Sequence, residues 1–145
     1  MKIAKVFMLG VLLLGVNMNA GKLKSKYDFE TTLGNVKSEI EKLQINIFAE
    51  YKHSDNAEKA GVKLNPTSVI VFGNPKVGTT LMQENQKIAI ELPLRMNIYQ
   101  NDKNEVFVNF IELGEIAKKY KIKNTQTITK MSNMLESIAK KASGN

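Results

Sequence analysis

The chain has 145 residues, which predicts a single domain, and its hydrophobic content of 43% suffices for a folded core. It contains no cysteine, which excludes disulfides, thiolate nucleophiles, and cysteine-ligated zinc or iron–sulfur centres. The formal net charge of +7 is modestly basic, but the lysines are spread along the chain and Arg95 is the only arginine. This spread favours a solvated surface over a face that binds nucleic acid.

Residues 1–20 have the order of a secretory signal peptide: positive Lys2 and Lys5, an apolar run over residues 6–16, and the small residue Ala20 before the cleavage site. The run is shorter than the ~20 residues of a transmembrane helix, so we expect no stable membrane insertion after cleavage. Met18 is unusually large for a cleavage site, which leaves an uncleaved N-terminal anchor as the alternative. The pattern predicts a periplasmic or secreted protein with one domain over residues 21–145.

The mature chain begins with an alternation of apolar and polar side chains over residues 23–29, which predicts a first strand. Thr31 or Thr32 is expected to cap a helix of about three turns. The buried face of that helix is predicted from apolar residues at helical spacing: Leu33, Val36, Ile40 and Leu43.

A second strand is predicted over residues 45–51, with Ile45, Ile47, Ala49 and Tyr51 on one face. His53 follows in a polar stretch, and a short helix over residues 57–60 ends at Gly61. Residues 67–73 form an unbroken run rich in β-branched side chains, which predicts a central strand buried on both faces.

The second half continues with a tight turn and short helix after Gly73, an ambiguous segment over residues 87–92, and a strand over residues 94–100. The polar residues 101–104 predict a hairpin turn into a strand over residues 105–111. Two helices are predicted next, over residues 113–120 and 125–142, the latter with the apolar stripe Ile128, Met131, Leu135, Ile138 and Ala142. This order predicts an α+β fold, an antiparallel sheet with the long helices on one face.

Three segments resemble the bacterial family known as domain of unknown function 302: residues 27–32, residues 48–53, and the run from Phe72-Gly73-Asn74-Pro75 through Gly78 and Thr79 to Leu81-Met82. The resemblance covers about residues 22–140. It implies a β-α-β₄-α fold, similar in outline to TATA-binding-protein-like folds, and a homodimer. It implies no activity, and the predicted export argues against DNA as a partner.

His53, the only histidine, can transfer protons near neutral pH or serve as one metal or haem ligand, with a dimer supplying a second copy. The structural alternative is a loop residue hydrogen-bonded to Asp55 or Asn56. Met82 can in principle complete a His–Met ligand set for haem or copper, although nothing in the sequence places the two side chains together. His53 is therefore the only metal candidate.

The segment from Gly73 to Thr80 leaves a predicted buried strand and enters a helix, where backbone N–H groups can hold an anion. The alternative is that its glycines satisfy turn geometry and Asn74 caps the turn. Glu84, Glu91, Glu112 and Glu115 are expected to be solvated. The candidate ligand-binding residues are His53, Gly73, Asn74, Pro75, Lys76, Gly78, Thr79, Thr80 and Met82.

The sequence contains no Gly-x-Ser-x-Gly motif, no credible catalytic triad and no phosphate loop. We therefore predict a non-enzymatic periplasmic module that binds or senses a small ligand, and we expect no cofactor. Two alternatives stay open at this point. One is a metal- or haem-linked accessory or redox protein that uses His53, and the other is a structural partner in an envelope complex.

Overall fold

The computed structural model describes residues 21–145, and the predicted signal peptide over residues 1–20 lies outside the described residues. Five strands form one open antiparallel sheet in the order β1-β5-β4-β3-β2. The predicted α+β fold is confirmed. The elements in chain order are β1 Lys22–Lys24, α1 Phe29–Lys42, β2 Asn46–Lys52, α2 His53–Lys59, β3 Thr67–Gly73, α3 Pro75–Glu84, a 3₁₀ helix Gln86–Glu91, β4 Leu94–Gln100, β5 Val106–Phe110, α4 Leu113–Tyr120 and α5 Thr125–Ser143.

The core lies between one face of the sheet and the two long helices, α1 and α5. Along β3 and β4, alternate side chains are fully buried on this face, as period-two strand geometry requires. The apolar stripe predicted for α5 is confirmed, because all five of its residues are buried against the sheet and α1. The buried side chains that span both layers include Val36, Ile40, Ile70, Phe72, Met96, Ile98 and Leu135.

The first strand is shorter than predicted, because a helix cap interrupts it. Strand β1 ends at Lys24, and Asp28 accepts a hydrogen bond of 2.7 Å from the backbone N–H of Thr31. Asp28 is therefore the N-cap, in place of the predicted Thr31 or Thr32, and a carboxylate at this position stabilises a helix start. Phe29 becomes the first residue of α1 and is buried in the core.

Strand β2 carries a β-bulge that overturns its predicted single face. Ile47 pairs with Phe72, but Ala49 pairs with Val71, so Phe48 is the extra residue between two pairs. A bulge of this kind shifts the phase of the alternation. Ile47 consequently lies on the helix-covered face, whereas Tyr51 lies on the opposite, open face.

Strand β3 matches its predicted bounds, Thr67–Gly73, and is central in having a partner on each side. The prediction that both faces are buried is wrong. Ile70 and Phe72 have no exposed surface, whereas Val69 and Val71 are only half-buried. Helices α1 and α5 cover the face that carries Ile70 and Phe72. On the other face, the β3 side chains keep part of their surface exposed.

In the connecting segments, one helix differs from its predicted start and one ambiguous segment is resolved. Helix α2 begins at His53 rather than at residue 57, and the ambiguous segment forms the 3₁₀ helix. Of the glutamates expected to be solvated, Glu84 is exposed, whereas Glu91 is half-buried, and both carboxylates accept hydrogen bonds from neighbouring elements. Glu84 accepts backbone N–H bonds from Lys123 and Asn124 at 2.6 and 3.1 Å, and Glu91 is held by α4. No helix within residues 21–145 combines the length and apolar character needed to cross a membrane.

Candidate functional site

A cleft of about 600 Å³ opens where the end of β3 turns into α3. One wall is the β3–α3 turn with the bulge of β2, and the opposite wall is the first half of α5. The segment that leads from the 3₁₀ helix into β4 closes the base. The lining residues are Ile45, Phe48, Gly73, Asn74, Pro75, Val77, Gly78, Thr79, Met82, Ala89, Leu92, Pro93, Leu94, Thr127, Lys130, Met131 and Met134.

The β3–α3 turn is shaped by residues that favour a helix start. The Asn74 side chain accepts a hydrogen bond of 3.0 Å from the backbone N–H of Lys76, and Pro75 occupies the first helical position. Gly78 lies one turn into α3, and because it has no side chain it leaves space in this wall of the cleft. A Cβ atom there would lie 3.7 Å from Leu92 Cδ1 and 3.9 Å from Met82 Cε, so any larger side chain would project among the residues that line the cleft.

The bulge in β2 supplies the aromatic side chain at the mouth of the cleft. Phe48 is the unpaired residue of the bulge, and its side chain therefore points in a different direction from regular strand alternation. A Cβ atom on Gly73 would lie 3.6 Å from Phe48 Cε2, which places the ring over the start of the turn. Phe48 nevertheless keeps 51% of its surface exposed, so its apolar area is only partly covered.

The α5 wall presents Thr127, Lys130, Met131 and Met134, whose spacing lies along one helix face. Met131 is buried and reaches the core, while Met134 is half-buried at the cleft surface. Together with Met82 on α3, these methionines form a flexible, polarisable lining that adapts to differently shaped apolar molecules.

Six of the nine predicted ligand-binding residues line this cleft. They share the turn and the first two turns of α3: Gly73, Asn74, Pro75, Gly78, Thr79 and Met82. Lys76 and Thr80 are exposed on α3 outside the lining, and the Thr80 hydroxyl donates to the backbone carbonyl of Val77 at 2.8 Å. Most of the predicted segment therefore lines a cleft, two of its polar residues lie outside the lining, and ligand binding by the segment stays a prediction.

His53 lies elsewhere. It is exposed at the start of α2, with its ring 6.5 Å from that of Tyr51 between centroids. Its neighbour Lys52 pairs with Ser68, whereas the cleft begins at Gly73, and the strand between those two residues rises roughly 17 Å. The structure therefore does not bring His53 and Met82 together within one chain.

The structural alternative for His53 is not seen either, because no described hydrogen bond joins its ring to Asp55 or Asn56. Within residues 21–145, no group of three or more histidine, cysteine, aspartate or glutamate side chains is arranged to hold a metal ion. Within the described part of the chain, the contact recorded for the His53 ring is the one with Tyr51.

Glu91 lies between the lining residues Ala89 and Leu92 in the chain, but its side chain turns to α4. It accepts hydrogen bonds from Lys119 Nζ at 3.0 Å and from the Tyr120 hydroxyl at 2.8 Å. These two bonds hold the pKa of the Glu91 carboxyl below its ordinary value, against the opposing effect of desolvation. The same pairing raises the pKa of Lys119. The Glu91 carboxylate, which is the nearest in sequence to the base of the cleft, is therefore already hydrogen-bonded to side chains of α4.

The half of the cleft formed by Phe48 and α5 was missed by the sequence reasoning. The signal that could have found the α5 wall is a second row of residues, Thr127, Lys130 and Met134, beside the core stripe. A methionine in that row is more apolar than a fully solvated face requires.

A family model described as domain of unknown function DUF302 matches residues 21–138. A crystal structure of an uncharacterised conserved DUF302 protein from Bacillus stearothermophilus has the same fold, with a TM-score of 0.75. The superposition covers 83% of this chain and 95% of that chain at 10% sequence identity. The family resemblance seen in the sequence is confirmed.

Two curated relatives are each named fluoride-specific ion channel FluC 1, from Brucella suis biovar 1 (strain 1330) and Brucella abortus biovar 1 (strain 9-941). Each is 28% identical over 100 residues, which is 69% of this chain. Those residues are 39% and 37% of the two relatives, so the chain spans less than two fifths of the curated proteins that it matches.

Proposed function

Since the chain belongs to the DUF302 family, whose description names no ligand, we propose a function from the cleft itself: the domain is a non-enzymatic module that binds a small, largely apolar molecule. The observation that carries this proposal is a concave site of about 600 Å³ with mostly apolar walls. Ligand sites typically measure ~300–1,000 Å³ and combine apolar walls with a few polar groups.

The mouth of the cleft supports binding rather than simple packing. Phe48 is half-exposed and lines the same cleft as Met134 and Leu92, so a ligand that covers these residues removes apolar surface from water. Burial of such surface contributes ~25 cal/mol per Å². Burial of this surface would therefore favour binding of an apolar molecule in the cleft, without any rearrangement of the sheet.

The residue types in the walls of the cleft favour a binding role over a catalytic one. Among the described residues that line the cleft there is no histidine and no carboxylate, the groups most often used for proton transfer. The channel activity named for the Brucella relatives is not part of the proposal, since most of their length has no counterpart in this chain.

We place this module outside the cytoplasm, on the pattern of residues 1–20 alone, and we propose that it works as a homodimer, as the family resemblance implies. Light scattering of the purified protein at micromolar concentration tests the dimer, and a monomer mass would contradict it. The metal- or haem-linked role of His53 and the envelope-partner role have no contact among residues 21–145 that favours them.

Titration with N-phenyl-1-naphthylamine, a neutral apolar dye that fluoresces when shielded from water, tests the binding site. We expect saturable binding to the wild-type protein. Gly78→Leu places a side chain among the lining residues and should weaken dye binding by about tenfold or more, since the added bulk occupies the cleft.

Gly34→Leu is the matched control, because Gly34 also lies inside a helix but a Cβ atom there meets nothing within 4 Å. It should leave dye affinity unchanged. Circular dichroism confirms that both variants are folded, and Gly78→Ala serves as a milder replacement if Gly78→Leu is not. Absence of dye binding, or equal binding by all variants, would overturn the proposed function.

A further inference from the structure

The charge of the cleft narrows the class of ligand. Among the described lining residues, Lys130 is the one ionisable side chain, and its neighbours in the wall are uncharged. An apolar cleft with one cation and no carboxylate is complementary to a molecule with an apolar body and one negative charge.

Lys130 has no intramolecular partner for its charge within residues 21–145. The seven described ion pairs engage other lysines, including Lys140 on the same helix, which pairs with Glu136. The side chains one turn away from Lys130 are uncharged: Gln126, Thr127, Asn133 and Met134. Nothing on α5 can therefore form the ion pair that Lys140 forms.

The carboxylates of the neighbouring elements are also committed elsewhere. Glu84, at the end of α3, accepts the backbone N–H groups of Lys123 and Asn124 just before α5. Glu91 is held by Lys119 and Tyr120. Lys130 thus faces the cleft without a competing anion from either the α3 or the 3₁₀ side.

Neutral polar groups accompany the cation. Thr127 lies one turn before Lys130 on the same wall, and Asn74 and Thr79 lie on the opposite wall. The Oδ1 atom of Asn74 accepts from the Lys76 N–H, and the Nδ2 group of Asn74, which has no partner among the described hydrogen bonds, can donate to a ligand. The polar lining therefore adds hydroxyls and one amide donor, groups that hydrogen-bond readily to a carboxylate.

We propose that the cleft binds an amphipathic monoanion, a single-chain carboxylate whose apolar chain lies against Phe48, Met82 and Met134 and whose charged group pairs with Lys130. This inference rests on the proposed function and adds the charge of the ligand to it.

The experiment compares decanoate with decanol, which has the same chain and no charge, as competitors of bound N-phenyl-1-naphthylamine. In Lys130→Met the aliphatic stem is largely kept and the charge is removed. We expect Lys130→Met to weaken decanoate binding by about five- to tenfold and to change decanol binding by less than twofold. Added salt should weaken decanoate binding to the wild type in the same sense.

Lys59→Met is the matched control, because Lys59 is an exposed lysine on α2 and belongs to none of the described ion pairs. It should leave both affinities unchanged. If Lys130→Met affects decanoate and decanol equally, or affects neither, the charge assignment is wrong while the apolar site stands. If the dye and both competitors fail to bind the wild type, the proposed function itself is wrong.

Discussion

The two ends of β3 present similar materials in different settings. At the Gly73 end, the exposed aromatic Phe48 stands over a turn, and α5 rises opposite to form a second wall. At the Ser68 end, the exposed aromatic Tyr51 stands beside His53, with no lining role in the cleft. The concave shape at the Gly73 end, rather than the presence of a reactive side chain, therefore distinguishes a candidate binding site from ordinary exposed surface.

Helix α5 makes the difference between the two ends, and removing its anchor should have the largest effect. Leu135 is fully buried in the core. Leu135→Ala should lower the free energy of unfolding by about 2–5 kcal/mol, since it deletes buried carbons and leaves a cavity. Urea unfolding followed by circular dichroism measures this change.

Met134→Ala is the neighbouring control, because Met134 is half-buried at the cleft. It should cost clearly less stability than Leu135→Ala. Equal costs would mean that the cleft face of α5 is part of the core, which would remove the contrast between the two ends of β3.

Phe48 and Tyr51 allow the ends to be compared directly, since they lie on one strand and expose 51% and 53% of their surfaces. Phe48→Ala should weaken binding of N-phenyl-1-naphthylamine by about five- to tenfold, because roughly half an aromatic side chain of apolar contact is lost. Tyr51→Ala should change it by less than twofold. Fluorescence titration of both variants decides the matter, and the reverse order of effects would move the site to the open face.

Much of the fold follows from local pattern. Strands β3 and β4, helix α4 and the stripe of α5 all match their predicted positions, because their apolar periodicity is strong and the strand ends are marked by Pro66, Gly73 and Asn101. The predicted end of the first strand was wrong, because the alternation over residues 23–29 competes with a helix cap at Asp28. A side-chain cap is decided by geometry that periodicity does not contain.

The candidate site was only half predictable for a related reason. The β3–α3 turn is one contiguous segment, so Gly73, Asn74 and Gly78 attract attention in the sequence. Phe48 reaches the cleft through a bulge, whose position depends on pairing with β3 rather than on its own residues. Lys130 reaches it through the packing of α5, more than forty residues further along the chain from any of the turn residues.

The base of the cleft is braced by Glu91, and this brace should depend on pH. Because hydrogen bonds from Lys119 and Tyr120 lower the pKa of Glu91 from 4.5 in the folded state, its contribution to stability is present above about pH 4.5 and is lost as the pH falls. Glu91→Gln should therefore be less stable than the wild type at pH 7, with the difference shrinking towards pH 3. Urea unfolding at both pH values measures it, and Tyr120→Phe, which removes one donor, should show part of the same trend. A difference that is constant with pH would assign the effect to packing.

The smallest effect is expected at the other end of β3. His53→Ala should change the free energy of unfolding by no more than about 0.5 kcal/mol, because the side chain is exposed and its one described contact is a ring 6.5 Å away. Dye and decanoate affinities should stay within twofold of the wild type. A clear loss of affinity would be informative beyond this one residue: since roughly 17 Å of strand separates His53 from the cleft within a chain, such a loss would require a second copy to bring its His53 to the ligand.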